Sequence, residues 1–414
     1  MSQQRRTSRS AAVGVLLGSL TLISSCAAPI LGPFAGGSVG DADATAASAC
    51  AVGTGDGFAS RSPASEQLDP AAVRDAVAYA TANQAVSVRI YRHDCLVAES
   101  GNDPSTEHEP SNLWSATKGV VGVLVGRAVT LGDLRLDDPI GTYLPQADAA
   151  HAAITVRQLL TQTSGLDFAW ANDIAAGTVG SGDSVARTLG LPFVHPPGTY
   201  FQYAQTTITL LGAVVQAAVG LDLQEFAQRE LFDPLGIPRS RWSWARDGAG
   251  NTYGFAFLAM APVDLARIGS LLVHRGDWRG QQLLSPDYVD LMSAPAATNG
   301  GYGLLVWTNR GDSYVTAAAL TRKVKDHPWL ESAPRDTYAL SGLFDQMTYV
   351  IPSLDMVVVR TGWLAGDQWK HEFFRILMAG VSDVHIADPG PYPDGSSVDL
   401  TDLSSLLHLS SWPK

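Results

Sequence analysis

Cysteine is scarce in this chain, with three in 414 residues, at Cys26, Cys50 and Cys95. Three scattered thiols cannot assemble a four-cysteine zinc or iron–sulfur site, and no Cys/His pair has metal-ligand spacing. Charge is sparse too. Charged residues make up 16%, and 28 Lys and Arg face 40 Asp and Glu for a formal net charge of -12. With no basic run, the chain lacks the electrostatic footprint of a nucleic-acid binder. Its longest clear apolar stretch outside the body of the chain, Ala11 to Ser25, is about 15 residues, short of the roughly 20 that cross a bilayer as a helix. There is no internal repeat.

What is present begins with that stretch. Arg5, Arg6 and Arg9 precede it, and Ile23-Ser24-Ser25-Cys26 ends it. A positive n-region and a short apolar core read as an export signal over residues 1–25. Small residues before Cys26 resemble a bacterial lipoprotein cleavage box, so the expectation is lipid on the Cys26 sulfur and a protein held at the outer face of a bacterial cell membrane. The alternative is an ordinary secretion signal with Cys26 incidental. The lipid, not a basic patch, would supply the membrane contact. Residues 26–66 are rich in Ala, Gly, Ser and Asp and read as a flexible linker. Export exposes Cys50 and Cys95 to an oxidising compartment, where a disulfide is expected and two unpaired thiols are the alternative.

From residue 67 to 381 the pattern is that of one folded domain. A helix is predicted over Ala71–Asn83, then an alternating strand over Val86–Arg92 with a hairpin partner at Cys95–Glu99. A long apolar helix follows, in which Gly119, Gly122 and Gly126 recur among Val120, Val121, Val123, Leu124 and Val125. A helix apolar all round is a buried helix, and its glycines permit close backbone approach. Residues 145–300 read as mostly helical: Thr155–Gln162, Thr206–Val219 stopped by Gly220, Leu223–Phe232, Pro262–Arg275, and Asp287–Met292 behind Ser285-Pro286. Strands return at Tyr302–Trp307, Thr348–Ile351 and Asp355–Thr361, and Gln368–Val381 closes with a helix. Strands, helices, strands, helix in that order predict an α+β fold: a mainly antiparallel sheet flanked by helices, with an inserted helical subdomain. Residues 382–414 are a tail.

The chemistry concentrates at Ser115-Ala116-Thr117-Lys118, at the head of the buried helix. Residues three apart share a helical face, so the spacing sets an amine beside a hydroxyl. The helix N-terminus adds N–H donors and a positive dipole end. A hydroxyl, a base and donors for an oxyanion together make an activated nucleophile.

The surrounding segments carry a resemblance. Ser115-Ala116-Thr117-Lys118 resembles the Ser-x-x-Lys motif of serine β-lactamases and penicillin-binding proteins. Leu134–Pro145 (LRLDDPIGTYLP), Val156–Leu166 (VRQLLTQTSGL), Phe201–Gly212 (FQYAQTTITLLG) and Ser341–Gly362 resemble successive stretches of class C β-lactamase-like serine hydrolases, over roughly residues 70–380. Within that superfamily the chain is most similar to esterases and amidohydrolases of the 6-aminohexanoate-dimer hydrolase type. The resemblance implies a β-lactamase/transpeptidase-like fold, a Ser115 acyl-enzyme on a small-molecule acyl substrate, and no cofactor or metal. It makes Lys118 and Tyr203 the proton-transfer groups, either being a candidate base. It places the oxyanion between the N–H groups of Ser115 and Leu343, and Gln205, Ser341 and Gly342 against the substrate; Trp170, which follows the Gly165 loop, is a candidate lining of the acyl pocket. Gln205 stands where relatives carry Asn, and Leu340-Ser341-Gly342 where penicillin-recognising members carry a cation. That substitution favours a small ester or amide. Cell-wall peptides or β-lactams are the second reading, and a lipid-anchored binding protein without activity is the third. Asp345 and Gln346 are expected to shape a strand turn. His151, His195 and His274 are expected at the surface or in packing, and Trp114 as cleft wall or core.

Overall fold

The computed structural model describes residue 50 and residues 57–168, 182–317, 322–365 and 367–392, all within the unit Ala46–Lys414. Six strands form the central sheet: β1 (Ala85–Arg92), β2 (Cys95–Glu99), β3 (Trp307–Thr308), β4 (Tyr338–Gly342), β5 (Gln346–Ile351) and β6 (Met356–Gly362). Their spatial order is β2-β1-β6-β5-β4-β3, and every neighbouring pair is antiparallel. The two ends of the domain therefore meet in mid-sheet, where Val88 pairs with Arg360 and Arg92 with Met356.

Both faces of this sheet are covered, which is why β6 is buried almost throughout. Val358, Tyr349 and Ala339 face one layer, with helix α1 (Pro70–Ala82) and the closing helix α5 (Asp367–Ala379). Val357, Val359, Val350 and Leu340 face the other, with α2 (Ala116–Leu131), α3 (Thr206–Val219) and α4 (Pro262–Val273). Local signals set the helix ends. Asp69 accepts from the Ala71 N–H at 2.8 Å ahead of Pro70. Thr155 and Gln158 form a reciprocal capping box. Gly220 takes the left-handed conformation after α3.

The glycines of α2 do what the sequence suggested. A Cβ on Gly119 would lie 2.3 Å from Leu340 Cγ, and one on Gly126 would lie 2.3 Å from Tyr288 Cε1. The helix is thereby pressed onto β4, and its Ser115 end onto the strand that edges the cleft.

Several expectations need correction. Tyr302–Trp307 is not a strand: only Trp307–Thr308 joins the sheet, because Leu305 adopts a left-handed φ of 62° and turns the chain. Leu223–Phe232 is helical throughout, as an α-helix to Ala227 and a π-helix over Gln228–Phe232. The middle of the chain also holds a small three-stranded sheet, Ser111–Asn112, Leu258–Met260 and Ser243–Trp244. Order reaches into the stretch read as linker. Phe58 is buried against Tyr91, Ser60 bridges Leu96, and Pro63–Glu66 forms a 3-10 turn. Cys50 and Cys95 are disulfide-bonded across 45 residues, a closure worth about 4 kcal/mol on the chain-entropy account. The described part of the tail packs back, with Asp383 on Arg92 at 2.6 Å and Asp388 on Arg375 at 2.7 Å.

Candidate active site

Ser115 sits on a tight entry into α2. Leu113 donates to Leu258 O and anchors the chain. Trp114 then takes a left-handed φ of 48°, a conformation that costs about 1–3 kcal/mol for such a residue and persists only when its surroundings impose it. Here the Asn112 side chain holds the Trp114 N–H at 2.9 Å, and Trp114 O accepts from the Thr117 N–H at 3.0 Å. Ser115 makes no side-chain cap, so its hydroxyl is turned toward the cleft rather than its own helix.

Lys118 is 1% exposed, one turn further along. Its Nζ lies 3.0 Å from Ser115 Oγ, 2.5 Å from Gln205 Oε1 and 3.3 Å from Phe255 O, and sits 4.6 Å over the Tyr203 ring. The extra methylene of Gln205 relative to Asn does not break this contact, since Gln205 reaches Nζ directly. Tyr203 is buried just ahead of α3 and shares a side-chain hydrogen bond with Ser115. Burial pushes its hydroxyl up to about 12, and the Ser115 contact opposes that only in part. Burial thus favours the protonated form of the Tyr203 hydroxyl.

A residue that sequence reasoning passed over fixes this group. Gln162, with a left-handed φ of 58°, donates from Nε2 to Ala204 O at 3.1 Å and accepts from Ala204 N–H at 3.1 Å. It thus clamps the one residue between Tyr203 and Gln205. Its segment, VRQLLTQTSGL, had stood out, but nothing local marked this glutamine.

The opposite wall is the end of β4. Gly342 is extended (φ -131°), yet a Cβ there would lie 2.0 Å from Leu113 O and 2.9 Å from Ala116 N. Close approach, not turn geometry, demands glycine. Leu343–Asp345 follows as a 3-10 turn in which Phe344 (φ 61°) and Asp345 (φ 57°) are left-handed. Arg360, buried on β6, holds that turn from below. Its guanidinium donates to Phe344 O (3.2 Å), Asp345 O (2.9 Å), Asn83 O (2.7 Å) and Trp363 O (3.0 Å). Gln346 Nε2 adds bonds to Phe344 O at 3.2 Å and Gly362 O at 2.6 Å. Asp345 accepts from Ala365 N–H at 2.9 Å and pairs with Lys370 at 3.5 Å. Asp345 and Gln346 thus do shape the turn. A lone arginine in MVVVRTG was the available signal for Arg360.

Ser115, Tyr203, Ser341, Gly342 and Leu343 line a cavity of about 320 Å³, completed by Trp307, Trp329 and Lys370 among others. The remaining expectations divide. Trp170 lies outside the described residues. Trp114 packs on Phe257 and Phe344 at 6.0 and 5.5 Å. His151 bonds Asp148 and Leu191 O, His195 stacks on Tyr200, and His274 pairs with Asp355, none of them within the cavity wall. Among the described residues no group of three or more His, Cys, Asp or Glu comes together to hold a metal ion.

Comparison with known proteins bears on the family and the fold. A family model described as Beta-lactamase matches residues 72–361. The esterase EstB of Burkholderia gladioli is 32% identical over 162 residues, 34% of this chain and 41% of its own length. An ML-236A carboxylate methylbutanoyltransferase of Penicillium citrinum is 29% identical over 152 residues, 31% of this chain. The chain thus spans 41% and 36% of the length of these two curated relatives. The crystal structure of a penicillin-binding protein homolog from Caulobacter crescentus superimposes with a TM-score of 0.56 at 17% identity, over 74% of this chain and 95% of that one.

Proposed function

The chain belongs to the β-lactamase family, and from that premise we propose that it is an exported serine hydrolase that cleaves a small ester or amide through a Ser115 acyl-enzyme. The observation that carries this reading is the buried Lys118 Nζ 3.0 Å from Ser115 Oγ, with the Tyr203 hydroxyl hydrogen-bonded to the same serine. Ser115 Oγ attacks the substrate carbonyl carbon and its proton passes to Lys118 Nζ. The oxyanion accepts from the N–H groups of Ser115 and Leu343. On collapse, the departing alkoxide or amine takes the Tyr203 proton, and Lys118 restores it to Tyr203. Water repeats the cycle in reverse to release the acid. The second reading, a penicillin-interacting enzyme, is less favoured because Leu340-Ser341-Gly342 brings no cation from the strand. The third, a binding protein without activity, is less favoured because Gln205 still reaches Lys118.

The reading is tested by treating the protein with a fluorophosphonate and mapping the adduct by peptide mass. Modification of Ser115 alone supports it, and an unmodified Ser115 in folded protein counts against it. The role of Tyr203 has its own signature. Tyr203→Phe should lower kcat about 10²- to 10⁴-fold on an alkyl ester, the usual range for a lost general acid. The loss should be much smaller on a p-nitrophenyl ester, whose leaving group needs no proton. Equal losses on both substrates would argue that Tyr203 only packs the site.

Lipid attachment at Cys26 and a place at the outer face of the cell membrane are part of the same proposal, supported by the leader and the small residues before Cys26. Cys26→Ser should move the protein from the membrane pellet to the soluble fraction on expression in a bacterial host. Retention in the pellet after a carbonate wash would exclude the lipid anchor.

A further inference from the structure

We propose that the protein selects its substrate by the length of an apolar acyl chain, which lies on a ledge made by Trp114, Phe344 and Trp363. This rests on the serine-hydrolase reading and adds an acyl subsite and a substrate class to it.

Three bulky residues around Ser115 stand in the left-handed conformation: Trp114 (φ 48°), Phe257 (φ 64°) and Phe344 (φ 61°). That conformation is unfavourable for side chains of this size and persists only where the surroundings impose it. They come from three separate segments, and each segment is tied down. The Asn112 side chain holds the Trp114 N–H at 2.9 Å. Phe257 O accepts from the Ala245 N–H at 3.2 Å. Phe344 O accepts from Arg360 and from Gln346 Nε2, both at 3.2 Å. The common result is a row of rings that starts at the residue before the nucleophile. Trp114 meets Phe257 at 6.0 Å and Phe344 at 5.5 Å, and Phe344 meets Trp363 at 5.5 Å.

Burial in the core does not account for this row. Trp114, Phe257 and Phe344 are only partly buried, and Trp363 is 61% exposed. The row is also continuous with the cleft. Leu343, Phe344 and Leu364 line the cavity that holds Ser115 and Tyr203, and Trp363 stands between the last two in contact with Phe344. A contiguous apolar surface leading out of a reactive cavity is a binding surface for an apolar group.

The proton relay decides which half of the substrate lies there. Tyr203 protonates the leaving group, so that group belongs on the Tyr203 side, where Trp307 stands 6.2 Å from the Tyr203 ring. The oxyanion is held by the N–H groups of Ser115 and Leu343. The remaining substituent of the reacting carbon is the acyl chain, and it is left the side of Leu343 and Phe344. An acetyl group ends beside the carbonyl. Each added methylene carries the chain further along Phe344 towards Trp363 and removes more apolar surface from water.

The test compares kcat/KM of the full-length protein for p-nitrophenyl acetate and p-nitrophenyl hexanoate. Wild type should favour the hexanoate about tenfold or more, since burial of even two methylenes supplies that factor. In Trp363→Ala the hexanoate-to-acetate ratio should fall to about one, with the change carried by KM. Trp363 is exposed, so the variant should fold, and a thermal melt checks it. Trp363→Phe keeps a ring on the ledge and should retain a ratio well above one. Trp329→Ala alters the opposite wall and should keep the wild-type ratio. A wild-type ratio near one, a ratio that survives Trp363→Ala, or one that collapses in Trp329→Ala overturns the inference while leaving the serine hydrolase in place. Turnover of neither ester by folded wild type overturns the hydrolase reading and this inference with it.

Discussion

Ser115→Ala is expected to reduce turnover of a p-nitrophenyl ester by about 10⁴- to 10⁶-fold, the range seen when a covalent nucleophile is removed and only binding and oxyanion donors remain. The change should leave the fold intact. Ser115 makes no capping bond to α2, and the helix is held by its buried faces against the core, with Val120, Val121, Val123 and Leu124 all fully buried. Stability should therefore change by no more than about 0.5–1 kcal/mol. Initial rates, read beside thermal melts of the same preparations, separate the two effects. Undiminished turnover in a folded Ser115→Ala protein would remove Ser115 from the mechanism. The three functional readings also part here. A hydrolase loses its rate, a penicillin-interacting enzyme loses its acyl adduct with labelled penicillin, and a binding protein loses neither.

The second large effect is expected from the smallest substitution. Gly342→Ala adds one methyl group at a position with an ordinary extended φ of -131°, so backbone strain is not at issue. The methyl would lie 2.0 Å from Leu113 O and 2.9 Å from Ala116 N. Both are backbone atoms flanking Ser115, so neither can swing aside as a side chain would. The end of β4 must back away from α2, carrying the N–H of Leu343 off the oxyanion position. Loss of one such donor costs about 10²- to 10³-fold in kcat, and a displacement of about an ångström is enough to cause it. Overpacking should also lower stability by about 1–3 kcal/mol. The decisive reading is kcat measured well below the melting transition. A Gly342→Ala protein with wild-type kcat would show that the approach of β4 to the nucleophile turn does not set the oxyanion geometry.

Local patterns carried much of this in one dimension. The hairpin of β1 and β2, the helix α1 and the glycine stop of α3 depend on neighbours within a few residues, and each was readable. So was the Ser115–Lys118 pair, since i and i+3 share a face of any helix and an apolar run around a lysine forces its burial. The places where pattern failed are equally physical. Tyr302–Trp307 has the composition of a strand, but the left-handed Leu305 breaks it, and no residue type in that stretch announces the turn. Residues 57–66 have a spacer's composition, yet β2, the 3-10 turn at Pro63–Glu66 and the Cys50–Cys95 bond hold the chain there.

The sequence by itself determined the pairing of Ser115 with Lys118 and the buried helix that bears them, because those are consequences of spacing within one element. Only the tertiary structure decided the rest of the site. Gln162 clamping Ala204, Arg360 holding the Phe344–Asp345 turn and Lys370 entering the cleft from α5 are contacts between segments remote in sequence. Their side chains look unremarkable where they stand. They acquire a role when β1 and β6 bring the two ends of the domain together and set α5 beside the turn that follows β4.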